Sequence, residues 1–448
     1  MYRQLTLTFV LFYVLAFGHV NAQQSLPQVD SLTYQLYLKK SWTELIQVGN
    51  KAIRNEIDYY YLRVRMGIAF FEKANYHEAI RQFEIARSMN NSEAYLLEYL
   101  YYAYLFSGRS SEAKLVASEF DLYLKRKTGT ENIQLLSNLD FAYNYISQAD
   151  PSIIENFKAD IPSEVNGSQF IPDNSTYYYV GLGLDFSSKF NLYQGYSYLQ
   201  VNHLAYSQSE GEPNLDKNYT STLHQYYLAG NMLLDKGLTL LGGIHFIRRL
   251  FPVSETIISG PPGPPVETTV TTNMGENDIN GFLSIYKRFN KVTFGASYYR
   301  GSLGNFIQNQ IDAKVILYPF GNLNFYTYST ISFHQQEFGQ GNSILNIILD
   351  QQIGLKTTLW LWIEGYGTFG NMNNFFMNDG LMVFNRMDNI RQRLGGRLLL
   401  LPNGKLKLTI DYSLFQNESE FFPVLGGESF NLQSYKSQAI TGIISWTF

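Results

Sequence analysis

The chain reads as an α + β multidomain protein, a short α-helical solenoid followed by an antiparallel transmembrane β-barrel of about 14 strands. Three observations lead there. A 34-residue recurrence runs through the first third, the apolar period changes from 3.6 to 2 after about residue 138, and short turns alternate with longer links from there to the C-terminus. The implied segments are residues 1–22 as a signal peptide, 28–126 as the helical domain and 138–448 as the barrel.

Composition removes several classes of function. With 45% apolar and 16% charged residues the chain is neither disordered nor collagen-like. A net charge of -4 over 448 residues leaves no basic stripe for phosphates, so nucleic-acid binding is dropped. There are no cysteines, which excludes disulfides, thiolate metal sites and cysteine nucleophiles. A mean hydropathy of -0.17 disfavours a bundle of membrane helices, yet permits a membrane barrel, whose inward residues are polar. The aromatic share is high at 16%, with 35 Tyr, 32 Phe and 4 Trp.

At the amino terminus Arg3 precedes an apolar run from Leu5 to Phe17, and Val20-Asn21-Ala22 supplies a small-residue cleavage site. The run is too short to cross ~30 Å of hydrocarbon, so a cleaved secretory signal is expected rather than an anchor.

Next come Gly67-Ile68-Ala69-Phe70, Tyr76-His77-Glu78-Ala79-Ile80, Phe83 and Ala86, small and aromatic residues at offsets that let two antiparallel helices pack closely. A shift of 34 forward lays Tyr104 on Phe70 and Ala113 on Ala79; a shift of 34 back lays Trp42 on Tyr76 and Ala52 on Ala86. These residues resemble the tetratricopeptide repeat across roughly 28–126, with departures at Leu45, Ala117 and Phe120. The resemblance implies a concave groove for a peptide or another protein, with Tyr59, Arg63, Tyr76 and Tyr101 as candidate contacts. Alternatively the helices only space or cap the next domain. His77, in the repeat turn, is expected to be solvated.

The last strand shows the two-residue period most clearly: Ile440, Gly442, Ile444, Trp446 and Phe448 face one way and Ala439, Thr441, Ile443, Ser445 and Thr447 the other. Its closing Trp-x-Phe resembles the recognition signal of bacterial outer-membrane barrels, with the glycine one position out of register. Counting back, short connections fall at 235–237, 290, 319–322, 357–358 and 402–404, and longer links at 208–218, 251–276, 301–305, 336–342, 371–388 and 417–434. Leu139, Phe141, Tyr143 and Tyr145 complete an even count of fourteen, placing both barrel ends and the helical domain in the periplasm. Leu359, Leu361 and Ile363, with Leu394, Leu398 and Leu400, read as lipid-facing and disfavour a water-soluble double sheet.

Opposite the apolar stripes stand charges of both signs, among them Asp140, Asp185, Arg249, Arg288, Asp312, Lys314, Asp350 and Lys407. Arg397 is a further lumen charge, and Glu364, Arg393 and Asp411 lie on consecutive expected strands as one cluster; such charges either pair to fill the barrel or line a path for a polar solute. Trp360, Trp362 and Tyr366 share the face of Glu364, an arrangement that either grips sugars or fills space. His245 and His334, with Ser332 near the latter, carry no nucleophile motif, and the six histidines show no paired ligand spacing. Neither an enzyme nor a cofactor or metal site is expected. Two external loops are apolar, Phe375–Phe384 led by Phe375 and Phe376, and Phe421–Gly427 led by Phe421 and Phe422; they either fold back as a plug or contact a second protein. Pro261–Pro265 reads as a stiff spacer.

A periplasmic repeat domain ahead of an outer-membrane barrel is similar in architecture to bacterial exopolysaccharide exporters. The expected function is a non-enzymatic accessory subunit of an envelope secretion or outer-membrane protein assembly machine. Its partners would be periplasmic or outer-membrane proteins, met through the repeats and the apolar loops, together with outer-membrane lipid. The alternative is a channel exporting polysaccharide or another polar polymer, and a barrel enzyme acting on lipid or surface polymer is the third reading.

Overall fold

The computed structural model describes residues 25–448 apart from 91–92, 132–133, 151, 153–165, 210–211, 260–265, 305, 339–341, 386–387, 403 and 424–429. The signal segment 1–22 and the spacer Pro261–Pro265 therefore lie outside the described residues. The chain divides into two compact units that part between Ser107 and Gly108, upstream of the boundary expected near residue 126.

The first unit carries α1 (Leu26–Leu38), α2 (Trp42–Arg54), α3 (Tyr60–Glu72), α4 (Tyr76–Met89) and α5 (Ala94–Phe106); α6 (Ser110–Ala117) and α7 (Leu122–Thr128) open the second. Helix starts recur in steps of 34, at Leu26, Tyr60 and Ala94 and again at Trp42, Tyr76 and Ser110. The small residues expected at helix crossings are buried: Ala52, Ala69, Ala79 and Ala86 have no exposed surface. At Gly67 a Cβ would stand 2.4 Å from the Phe83 ring, so α3 meets α4 at a spacing only glycine permits. His77 is a correction. It lies on the packed face of α4 at 2% exposure, not in solvent, because the helix begins at Tyr76 and turns that side chain inward.

In the second unit the strands are β1 (Leu136–Gln148), β2 (Gly167–Asp185), β3 (Phe190–Ser209), β4 (Glu212–Asp235), β5 (Leu238–Ser259), β6 (Val266–Phe289), β7 (Val292–Leu303), β8 (Phe306–Leu317), β9 (Phe325–Phe338), β10 (Asn342–Lys356), β11 (Leu361–Phe369), β12 (Phe375–Met377), β13 (Met382–Phe384), β14 (Asn389–Leu400), β15 (Leu406–Pro423) and β16 (Phe430–Thr447). All but β12 and β13 join one closed antiparallel barrel of fourteen strands, sealed where β1 pairs β16 from Asn138↔Thr447 to Gln148↔Ser437. The strand count and the closing strand match the sequence expectation.

Burial is inverted relative to a water-soluble sheet. On β8 Ile307 and Ile311 are 40% and 55% exposed while Gln308, Gln310 and Asp312 are buried, and on β16 Ile440 and Ile444 are exposed while Ala439 and Ser445 are buried. Water would favour the opposite arrangement; a wall with lipid outside and polar groups inside requires this one.

Most expected external links turn out to be strand. β4, β5 and β6 run 24, 22 and 24 residues, about twice the ~9–11 needed to cross a bilayer, and absorb most of 208–218 and 251–276. In these extensions the apolar alternation of the sequence fades while the backbone ladder continues, from Ser209↔Glu212 in β3–β4 and Ser259↔Val266 in β5–β6. β15 likewise runs through Phe421 and Phe422, whose backbones align with Phe430 and Ser168; the rest of that expected loop, 424–429, lies outside the described residues.

Candidate functional site: a hairpin seated in the barrel lumen

The link 371–388 is the exception to the lengthened strands, because it folds into the barrel. β12 and β13 pair as a hairpin, Phe375↔Phe384 to Met377↔Met382, around Asn378, Asp379 and Gly380. These three have φ of 53°, 51° and 77°, the left-handed region that Asn, Asp and Gly tolerate best. Phe375 and Phe376 are 3% and 1% exposed, so both rings lie buried inside the barrel.

Two apolar clusters hold the hairpin. Phe376 stacks on Tyr299 at 5.7 Å and 8°, and the stack continues along the wall through Phe282 and Tyr227 at 6.0 and 6.1 Å. Phe375 and Phe384 pack across the lumen with Ile348, Ile390, Phe415 and Ala439. The burial these rings gain is the main force drawing the hairpin inward.

Polar anchors fix its position. The Gln310 side chain reads the Phe376 backbone twice, donating to its carbonyl at 2.8 Å and accepting from its N–H at 3.0 Å. Tyr227 donates to the Asp379 carbonyl at 2.9 Å, and His245 Nδ1 meets the Gly380 carbonyl at 2.8 Å, which makes Nδ1 the donor. At the tip the Asp379 carboxylate accepts from Lys314 Nζ at 2.7 Å, from Ser284 at 2.9 Å and from Tyr286 at 2.7 and 2.8 Å on its two oxygens.

The wall carries a second cluster. Glu364, Arg397 and Asp411 stand opposite one another across β11, β14 and β15. Arg397 donates to Glu364 at 2.9 Å and to Asp411 at 3.0 Å, while Tyr326 donates to Glu364 and Tyr366 to Asp411, the latter at 2.7 Å. Arg393 joins through Tyr366, lying 4.3 Å over its ring and donating to its hydroxyl at 3.1 Å. The structure thus brings all four sequence-selected lumen charges together.

Other sequence-selected residues have different surroundings. Arg63 is buried, with its guanidinium on Asp58 at 2.6 and 2.7 Å and on Gln82 at 2.8 Å, so its charge is engaged inside the helical unit rather than offered to a groove. Tyr59 packs on the α1–α3 core, Tyr76 packs edge-on against Phe71 at 5.3 Å, and Tyr101 meets Tyr102 at 5.2 Å. Trp360, Trp362 and Tyr366 do not form one platform. Trp360 lies half exposed in the β10–β11 turn, Trp362 donates to the Leu323 carbonyl at 3.0 Å, and only Tyr366 joins the Glu364 network. Of the two inward histidines, His245 holds the hairpin through the Gly380 carbonyl, and His334 abuts the Phe375 ring at 6.2 Å. Asp379 and Gln310 were not singled out from sequence, although Asn-Asp-Gly between two short apolar runs is a hairpin signature that marks the tip.

Polar side chains inside, bare isoleucine and leucine outside and no free sheet edge leave one environment for this wall. It is an outer-membrane β-barrel. No protein-family model and no curated protein matches the chain. Among solved structures its fold is similar to a Pseudomonas aeruginosa FadL homologue, at 9% identity and a TM-score of 0.43, covering 70% of this chain and 90% of that one. It is also similar to the P. putida toluene transporter TodX, at 6% identity and a TM-score of 0.45, over 70% and 90% of the two chains. A bacterial polysaccharide outer membrane secretin aligns at 8% identity and a TM-score of 0.36, over 71% of this chain and 100% of that one. At these identities no solute carries over.

Proposed function

We propose that the protein is a non-enzymatic channel of the bacterial outer membrane and that this structure is its closed state. The observation that supports this is the β12–β13 hairpin, a separate two-stranded element lodged among inward side chains of most of the wall. Fourteen strands enclose more room than side chains alone fill, and the hairpin occupies it. The surface it covers is an aromatic stack flanked by amides and hydroxyls, suited to a small amphipathic solute; a polysaccharide path would be hydrophilic along its length. The experiment is single-channel recording in planar bilayers. Wild type is expected to stay closed, and replacement of residues 372–385 by a short Gly-Ser linker to give steady conductance. Equal silence from both proteins would refute the channel.

A second reading concerns the helices. Tyr34 and Tyr61 are about half exposed, and the Arg65 guanidinium stands 5.2 and 5.9 Å from their rings. That patch favours periplasmic docking of a partner protein by a tetratricopeptide-like array, the role expected of an accessory subunit. Co-purification from envelopes with and without residues 25–106 tests it.

A further inference from the structure

We propose that the pocket now filled by the Asp379 carboxylate is a receptor site for a small aryl carboxylate, which displaces the hairpin on binding; this rests on the channel reading above. The donors around Asp379 all belong to the wall, Ser284 and Tyr286 from β6 and Lys314 from β8. Their spacing is set by the sheet, so the pocket is organised before any carboxylate arrives. Apart from Asp379, Lys314 donates only to neutral hydroxyls, Tyr286 at 2.9 Å and Tyr299 at 3.3 Å, and the nearest other carboxylate among the described residues, Asp312, stands at 3.8 Å, beyond hydrogen-bond length, so the ammonium has a place for one more carboxylate. Tyr286 and Tyr299 flank that ammonium with rings 5.4 and 5.9 Å away.

The hairpin shows what the pocket accepts. Three residues before the carboxylate it presents the Phe376 ring, laid flat on Tyr299. A phenyl ring and a carboxylate on one short segment are the features of an aryl acid, carried here by the protein itself. A second observation lies along the same strands. Asn280 and Gln308, both opposite Gly301 and two residues from the Phe282–Tyr299–Gln310 row, are 4% and 0% exposed, and among the described residues neither side-chain amide has a partner at its nitrogen or its oxygen. The closed state leaves these groups unmatched, at the place where a substituent on a bound ring would meet them.

The experiment is calorimetric titration of the full-length barrel in detergent with 3-phenylpropionate, 3-phenylpropanol and acetate. Because an internal competitor lowers the binding-competent fraction, Asp379→Ala is expected to bind 3-phenylpropionate about 10-fold more tightly than wild type. The alcohol and acetate bind neither protein measurably, and adding Lys314→Met abolishes binding of the acid. An unchanged affinity in Asp379→Ala, or acid and alcohol bound equally tightly by it, overturns the proposal. Asp379→Asn, which keeps the side-chain shape without its charge, serves as the second variant, and a folded-barrel shift on unheated gels confirms closure of each. Acid binding without conductance in the linker variant would retain this site and refute the channel. Conductance with no acid binding would do the reverse.

Discussion

Two ion-pair clusters lie in the same lumen and differ in what they join. Arg397 links Glu364 and Asp411 on adjacent strands in direct register, so its bonds lie along the ladder that already closes the barrel. Lys314 links β8 to Asp379 on an element outside that ladder. The first cluster cannot separate without distorting the sheet; the second separates whenever the hairpin swings. Similar chemistry thus stiffens the wall in one place and ties a separate element to it in the other.

Arg397→Met gives the largest expected effect. It strands two carboxylates that are 5% exposed, and loss of about 3–5 kcal/mol follows for a buried pair broken on one side. Urea titration of the detergent-folded barrel would show it, with bilayer recordings still closed. If this variant conducts steadily, the division between wall and latch is wrong. Lys314→Met should do the reverse, lowering stability by roughly 1.5–3 kcal/mol for a lost charged hydrogen bond while raising the open fraction in bilayers. A closed Lys314→Met protein would mean that the aromatic packing and the remaining anchors, Gln310, Tyr227 and His245, suffice to hold the hairpin. Gln310→Leu is the mildest, about 1 kcal/mol for its paired contacts to Phe376, read as a modest increase in brief openings.

The wall cluster was legible in the sequence because register follows from counting. Once short turns mark consecutive hairpins, Glu364, Arg393 and Asp411 must fall on neighbouring strands with the same inward parity. The long extensions of β4 to β6 were not legible, since the sequence there loses the apolar alternation that marks a lipid-facing strand. The burial of Arg63 was not legible for a related reason. A charged residue at a helical groove position looks the same in sequence whether it faces a partner or reaches back to Asp58 and Gln82.

By itself, then, the sequence determined the periodic features: helix starts every 34 residues, fourteen alternating strands and the sign of each strand's faces. These are local properties, since side chains alternate along any strand and recur along any helix whatever lies nearby. Only the tertiary structure decided where Phe375, Phe376 and Asp379 go. An apolar hairpin tip gains similar burial against any apolar surface, so its address depends on a complementary lining of Tyr299, Gln310 and Lys314, which exists only once the barrel has closed.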